Sequence, residues 1–515
     1  MELSRDGPLR WVTAIPAQSQ LGVIGTCRLC ISRMRLIACV LVLLSFVAHS
    51  LAVSATGQRV LALVEDGPHE YSSYFDSLKG RGYEVTTTTP DSVDSDTLFK
   101  FGERMFDHVI MFSPKMKHFP ESMKPTVLVE FLRNGGNLLV GLSPRLSESW
   151  RNFAREFGLE FGERDTMLVD HFRYDPASDR GDHAAVLVGS TGDAPLSGGG
   201  LVSNQAVFSR ETLSLLDPFV FRGIAHWVGP SPLAFPLVLP PSTAYQTDVP
   251  KITFESMSQW EASGIQKLEP LHRMENLLTG ADAYSHDTKA SLVSAVQLRD
   301  NSARVVFVGS TESFQNGLYD NSERPKQRAV VDDLTAWSFQ ERGVLRVVRS
   351  AHERLRASPD DVRPDYEEKP GMSRMYRIKD TVNYLLEVQE FQDGSWGPVT
   401  ETLSPQLSAV MLDPYVTVPL VPENQNDSTL YRANLRLPDK HGVFTLRVNW
   451  KRHGYTYIVK NDVTPVRPFN HDEYPRMLSS SWPYVAGALS TMIGFSVFVT
   501  LWLSMPAQKP TSKTL

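Results

Sequence analysis

Residue types suited to chemistry are sparse in this chain. Asp94-Ser95-Asp96 is a D-x-D, and two carboxylates with open geometry can share a hard divalent cation. Here they precede a segment read as a short helix, Leu98 to Phe106. Asp and Ser cap helix starts and favour the positive end, so capping is the preferred reading. Asp170-His171 follows a strand-like Met167 to Val169 and has the residue types of an acid–base pair. A single His beside an Asp is also common on protein surfaces. His69-Glu70 and His352-Glu353 are not extended to H-E-x-x-H. Gly309-Ser310 lacks the second glycine of a nucleophile elbow. Cys27 and Cys30 form a C-x-x-C with no second pair and no His at zinc spacing. The turn Glu65-Asp66-Gly67-Pro68-His69 has no G-x-G-x-x-G, and no P-loop follows any strand. The sequence therefore assigns no catalytic, metal-binding or cofactor-binding residue.

The elements that would position such residues form two regions. Arg59–Val64, Tyr83–Thr88, Asp107–Phe112 and Asn137–Leu142 read as strands, and Tyr71–Lys79, Thr126–Arg133 and Glu148–Phe157 as helices between or after them. The strands are continuous apolar runs, the pattern of a parallel sheet covered on both faces. Ala184–Gly189 and Arg304–Gly309 read as further core strands, and Val330–Gln340 as a closing helix. Val-Gly-Ser-Thr recurs at 188–191 and 308–311, taken as chance similarity of strand ends. Between 192 and 300 the chain is less regular, with a proline-rich stretch at 230–241. Beyond a polar linker, Met375–Ile378, Val382–Gln389, Ser408–Leu412, Tyr431–Arg436, Val443–Trp450 and Tyr455–Val463 read as short strands with turn signals, as in an antiparallel sandwich. The expected boundaries are an α/β domain at 57–345, a linker at 346–370 and a β-rich domain at 371–470.

The two ends of the chain set its topology. Met477 to Gln508 contains no Asp, Glu, Lys or Arg. A hydrocarbon core about 30 Å thick needs roughly 20 such residues in a helix, so a transmembrane helix is expected at 480–505 and a tail at 506–515. Arg33 and Arg35 flank Met34 before the apolar run Leu36–Ala48, and small residues follow at Ser50, Ala52, Ser54 and Ala55. That is a secretory signal peptide, of usual length if counted from Met34. Residues 1–55 are read as N-terminal extension and signal, with cleavage between Leu51 and Gly57; the alternative is a retained signal anchor. The body then lies in the lumen and the tail in the cytosol. All three cysteines, Cys27, Cys30 and Cys39, fall in the part expected to be removed, so the mature chain has no disulfide and no thiol nucleophile. The remaining length can bury two or three domain cores. The net charge of −6, without a long basic block, points away from nucleic acid.

Within the span, Ala486, Ser490 and Gly494 repeat at four-residue spacing. They give one helix face small side chains against which another helix can approach closely; ordinary lipid-facing Gly and Ser are the alternative. Trp482, Tyr484 and Trp502 suit the two interfaces. Lys513 stands third from the end, without the second lysine of a di-lysine retrieval signal. Asn426-Asp427-Ser428 is an N-glycosylation sequon in a polar loop.

The order of many short segments resembles the 48 kDa subunit family of the oligosaccharyltransferase complex. They include Leu78-Lys79 with Arg81-Gly82, Phe112-Ser113-Pro114, Gly135-Gly136, Asp170-His171 with Tyr174-Asp175, Phe221-Arg222-Gly223 and Ala303-Arg304-Val305. Gly343 to Val347, Asp413-Pro414-Tyr415-Val416, Leu437-Pro438-Asp439, Gly454-Tyr455-Thr456 and Val466-Arg467-Pro468 continue the match. Residues 1–33 and the tail depart from it. The resemblance implies a degenerate Rossmann-like or flavodoxin-like α/β domain, a β-sandwich-like domain and one C-terminal transmembrane helix. It implies an endoplasmic reticulum complex that transfers a preassembled glycan from dolichol pyrophosphate to asparagine of nascent chains. Catalytic carboxylates and metal belong there to a separate multi-span subunit, so none is carried onto this chain. The implied partners are that catalytic subunit, ribophorin-type subunits and small multi-span subunits. Two other functions stay open on residues alone: a membrane-anchored luminal hydrolase or sugar-binding enzyme, and a cargo or adhesion receptor.

Overall fold

A computed structural model describes residues 53–65, 67–93, 96–189, 199–248, 290–355, 375–392, 394–424, 427–474 and 479–506. The three cysteines, Asp94, Asn426 and Lys513 lie outside the described residues.

In the first domain the principal elements are β1 (Arg59–Val64), α1 (Ser72–Arg81), β2 (Glu84–Thr88), β3 (His108–Phe112), α2 (Pro125–Arg133), β4 (Asn137–Gly141) and α3 (Glu148–Glu156). β5 (Ala234–Leu239), β6 (Val293–Gln297), β7 (Arg304–Val308) and α4 (Pro325–Ser338) complete it. Five strands are parallel in the order β2-β1-β3-β4-β7. This is the flavodoxin-like order, with a switch point between β1 and β3. β6 and β5 extend the sheet antiparallel beyond β7.

Both faces are covered, which is why the strands are apolar throughout. Val60, Ala62, Ile110 and Phe112 pack with Tyr74, Phe75 and Leu78 of α1 and with Val331 and Leu334 of α4. Leu61, Leu63, Val109 and Met111 pack with Leu128, Phe131 and Leu132 of α2 and with Trp150 and Phe153 of α3. Each such buried large side chain stabilises by about 1.5–3 kcal/mol before ordering entropy is counted.

The structure corrects four local expectations. Leu98–Phe106 is not a helix: Phe99–Lys100 pairs with Glu103–Arg104. Phe101 at φ 54° and Gly102 at φ 83° supply two consecutive left-handed residues, which reverse a strand and break a helix. The capping reading of Asp94-Ser95-Asp96 loses the helix it required. Val186–Val188 pairs with Phe219–Phe221 in a separate two-stranded ribbon, outside the main sheet. The proline-rich stretch contains β5, where Pro236 sits beside a register shift that tolerates its missing N–H. Finally, the segment expected as linker from 346 begins as a strand, Val344–Arg354, paired along its length with Thr381–Gln392.

That strand, β8, opens the second domain. With it come β9 (Thr381–Gln392), β10 (Gln406–Met411), β11 (Asp413–Pro419), β12 (Thr429–Arg436), β13 (Gly442–Trp450) and β14 (Ile458–Arg467). One sheet runs β8-β9-β12 and ends on Val421–Asn424; the other runs from Tyr376–Arg377 through β14-β13-β10-β11. Tyr384, Leu386 and Val388 of the first join Phe444, Leu446 and Val448 of the second in one core. Two sheets facing through alternating residues make the β-sandwich. A single helix, α5 (Trp482–Ser504), follows.

Candidate functional site

In an open parallel sheet, ligands bind at the carboxyl ends of the strands beside the switch point. Here β1 ends at Val64 and β3 at Phe112, and aromatic side chains fill the neighbouring space. Phe112 lies 5.1 Å from Tyr71 and 4.7 Å from Phe314, ring centre to ring centre. Tyr74 meets Phe314 edge-on at 5.2 Å. Even a Cβ on Gly141, the last residue of β4, would come within 2.7 Å of the Phe112 ring. The connections are tied down as well. Trp150 donates its indole N–H to Ser113 O at 2.8 Å, and Lys115 N donates to the Glu65 carboxylate at 2.9 Å. The crevice that holds a nucleotide in related folds is packed as core.

Asp170 and His171 are adjacent in sequence but do separate jobs. Asp170 is fully buried. Its Oδ1 accepts from the backbone N–H groups of Phe172 and Arg173 at 2.9 and 3.1 Å, and its Oδ2 from the Thr243 hydroxyl at 2.6 Å. It closes a turn. His171 Nε2 meets the Tyr245 hydroxyl at 2.5 Å, and its ring lies 5.1 Å from that of His183. Burial, then the neighbouring His183, hold the His171 pKa below its ordinary value, against the opposing pull of Asp170. Asp96 stands exposed before the short hairpin, and no contact joins it to Asp170 among the described residues. No group of three or more His, Cys, Asp or Glu suited to a metal ion occurs among the described residues.

The residue that sequence reasoning passed over is Arg304. It opens β7 and is fully buried, and burial lowers its pKa to about 9. Its guanidinium donates to the carbonyls of Trp337 (2.7 Å), Arg342 (2.6 Å), Gly343 (2.8 Å) and Gly454 (3.3 Å). Its carbon stands 4.6 Å from the Trp337 ring centre. Gly454 belongs to the loop between β13 and β14, so this cation fastens the α/β core to the sandwich. Gln297 adds a bond to Tyr455 O at 2.7 Å, and Thr456 N bonds Gly343 O at 3.0 Å. His453 stacks on Phe235 at 4.8 Å. The available signal was a lone charge at the start of an otherwise apolar strand, Ala303-Arg304-Val305-Val306. A cavity of about 340 Å³ lies beside this joint, lined by Arg210, Arg342, Glu390, Glu401 and Tyr455 among others. Its polar groups are paired within their own domains: Tyr455 bonds Glu401 at 2.6 Å and Thr400 bonds Glu390 at 2.7 Å in the sandwich, and Arg342 pairs with Asp333 at 2.9 Å in the α/β domain.

The remaining candidate is the helix itself. Ser479–Ser504 is long and apolar enough to cross a membrane, and none of its most apolar window is buried against the rest of the chain. At about 1.5 Å per residue, the 23 residues of α5 span the hydrocarbon core. Ala486, Ser490 and Gly494 are exposed on it, and a Cβ placed on Gly487 or Gly494 would touch nothing within 4 Å. Ser490 donates to Gly487 O at 2.8 Å and Thr491 to Ala488 O at 2.8 Å. Their hydroxyls are satisfied inside the helix, which leaves a low-relief surface.

The fold and these features define a class: an α/β domain whose ligand crevice is closed, bolted to a β-sandwich, with one apolar C-terminal helix fit for a single membrane crossing. Residues 51–341 match the family model described as OST48, N-terminal domain, and residues 363–506 that of the OST48 middle domain. The chain belongs to the OST48 family. It is 31% identical over 459 residues to the dolichyl-diphosphooligosaccharide–protein glycosyltransferase 48 kDa subunit of Caenorhabditis elegans, covering 86% of this chain and 91% of that one. It is 29% identical over 466 residues to the subunit wbp1 of Schizosaccharomyces pombe, covering 90% and 95%. The Arabidopsis thaliana 48 kDa subunit is 28% identical over 476 residues, covering 90% and 96%.

Proposed function

We propose that this chain is a non-catalytic subunit of the oligosaccharyltransferase complex, which transfers a preassembled glycan from dolichol pyrophosphate to asparagine of nascent proteins. It is a single-pass type I protein of the endoplasmic reticulum membrane, with both folded domains luminal and residues 506–515 cytosolic. The observation that carries the reading is α5: a helix fit to span, none of its most apolar window buried against its own chain, in a member of the OST48 family. The packed switch point supports a structural role over a catalytic one. Ala486, Ser490 and Gly494 form the face on which a neighbouring membrane helix packs. The partners are the multi-span catalytic subunit, ribophorin-type subunits and small multi-span subunits. Asn426 carries an N-linked glycan.

The test is purification of the tagged full chain in mild detergent, followed by mass spectrometry, together with depletion in cells. Recovery with a multi-span transferase and lowered glycosylation of many proteins are expected. Recovery of the chain alone, or depletion that leaves glycosylation intact, overturns the reading.

A further inference from the structure

The chain leaves the sandwich for the membrane from one end, and that end carries a bare apolar tip. Val410 pairs with Thr445, and Thr445 with Val463. The turn Met411-Leu412-Asp413 therefore lies at the same end as Arg467, the last residue of β14. A Cβ on Gly442 would stand 2.7 Å from the Met411 sulfur, which fixes the same adjacency independently. The loop that holds the α/β domain, around Gly454, is at the opposite end, about 33 Å away along the ten residues of β14.

Leu412 is 99% exposed and sits at φ +67°. Glycine or asparagine would make that turn with less strain, and a polar side chain would suit water better. Val443 and Tyr474 are also exposed at this end. Lys379, paired with Asp439 at 2.8 Å, and Lys440 flank the tip. Asp413, Asp439 and Asp472 share the surface, so its contact chemistry is apolar rather than a net positive field.

The distance to the bilayer is bounded by the chain. Arg467 clamps Glu473 through bonds of 2.7 and 2.9 Å, and Tyr474 lies against Phe469 at 5.4 Å. The exit segment is thus fixed to the sandwich as far as Tyr474. Five residue steps then reach Ser479, at most about 18 Å when fully extended. Trp482 and Tyr484 open the helix with side chains suited to the membrane interface.

We propose that this end of the sandwich rests on the bilayer that receives α5, with Leu412 inserted at the boundary between phospholipid headgroups and acyl chains. The inference rests on α5 crossing the membrane. It assigns the α/β domain to the far side of the sandwich from the lipid.

The test places photoreactive benzoylphenylalanine at single positions of the full chain in native membranes: at Leu412, at Phe101 on an exposed tip of the α/β domain, and at Trp502 within α5. Illumination is followed by mass spectrometry of the adducts. Phospholipid adducts at 412, many-fold above those at 101, are expected. A protein adduct at 412 means that another subunit covers the tip and overturns the proposal. No adduct at 412, with lipid or membrane-protein adducts at 502, overturns it while leaving the span intact. No membrane adduct at 502 removes the span and the proposal together.

Discussion

Trp337 donates its indole N–H to the carbonyl oxygen of Gly454 at 2.8 Å, joining the closing helix of the α/β domain to a loop of the sandwich. Arg304 donates to the same oxygen at 3.3 Å. Gly454 stands at φ +95°, and a Cβ there would lie 2.8 Å from that of Ala206 and 3.0 Å from the Asn204 amide. Gly454→Val should therefore push the loop off both donors, at a cost of about 2–5 kcal/mol from backbone strain and unpaired buried groups. Arg304→Met should cost a similar amount by leaving several carbonyls without a donor. Denaturant unfolding of the purified luminal body followed by tryptophan fluorescence would show two separated transitions in place of one.

The α/β core should weaken in mild acid. His226 and His108 are fully buried, and burial lowers their pKa to about 3 and about 4. Folded, they stay neutral; unfolded, they take up a proton below about pH 6.5. Stability is thus unaffected above that pH and falls as pH drops, by about 1.4 kcal/mol per pH unit for each histidine, until each folded pKa is reached. Melting temperatures between pH 7 and 5 should decline, and His226→Gln should reduce the slope.

Asp170 separates a structural from a catalytic reading. Asp170→Ala removes the acceptor for two backbone N–H groups and the Thr243 hydroxyl, so a stability loss of about 1–3 kcal/mol is expected. Cellular glycosylation should fall only in proportion to the amount of folded protein. Full expression with abolished function would reinstate a catalytic site.

Gly494→Leu raises relief on the small-residue face of α5 and should weaken co-purification of membrane partners, leaving the melting of the luminal domains unchanged. Phe495→Leu, on another face, should have little effect. Equal recovery of partners with Gly494→Leu would reject the packing face.

The mature N-terminus should lie at or before Ser54. The Ser54 hydroxyl is buried and donates to Phe339 O at 2.6 Å, and Ala55 N bonds Gln340 O at 3.3 Å. Cleavage within 51–54 preserves these contacts. N-terminal sequencing that begins at Gly57 would contradict their role in the mature fold.

The parallel sheet was legible because its strands are buried on both faces and read as unbroken apolar runs. The sandwich strands were legible because Phe444, Leu446 and Val448 alternate with outward residues. β8 was missed: Arg346, Arg349, Arg354 and Glu353 give it a polar composition, and only pairing with β9 makes it a strand. The Phe99–Arg104 hairpin was missed because Leu98 and Met105, and Phe99 and Phe106, stand seven residues apart as on one helix face, and the turn is set by a phenylalanine, Phe101, beside Gly102.

The sequence by itself determined the α/β and β-rich division, the apolar helix and the lack of a recognised catalytic motif, because composition and periodicity along the chain record burial. Only the tertiary structure decided that the switch point is plugged by Phe112 and Phe314, that Asp170 serves a turn, that Arg304 bolts the domains together, and that Leu412 and Arg467 share one end. Each depends on residues far apart in the chain meeting in space, and no local pattern encodes such a meeting.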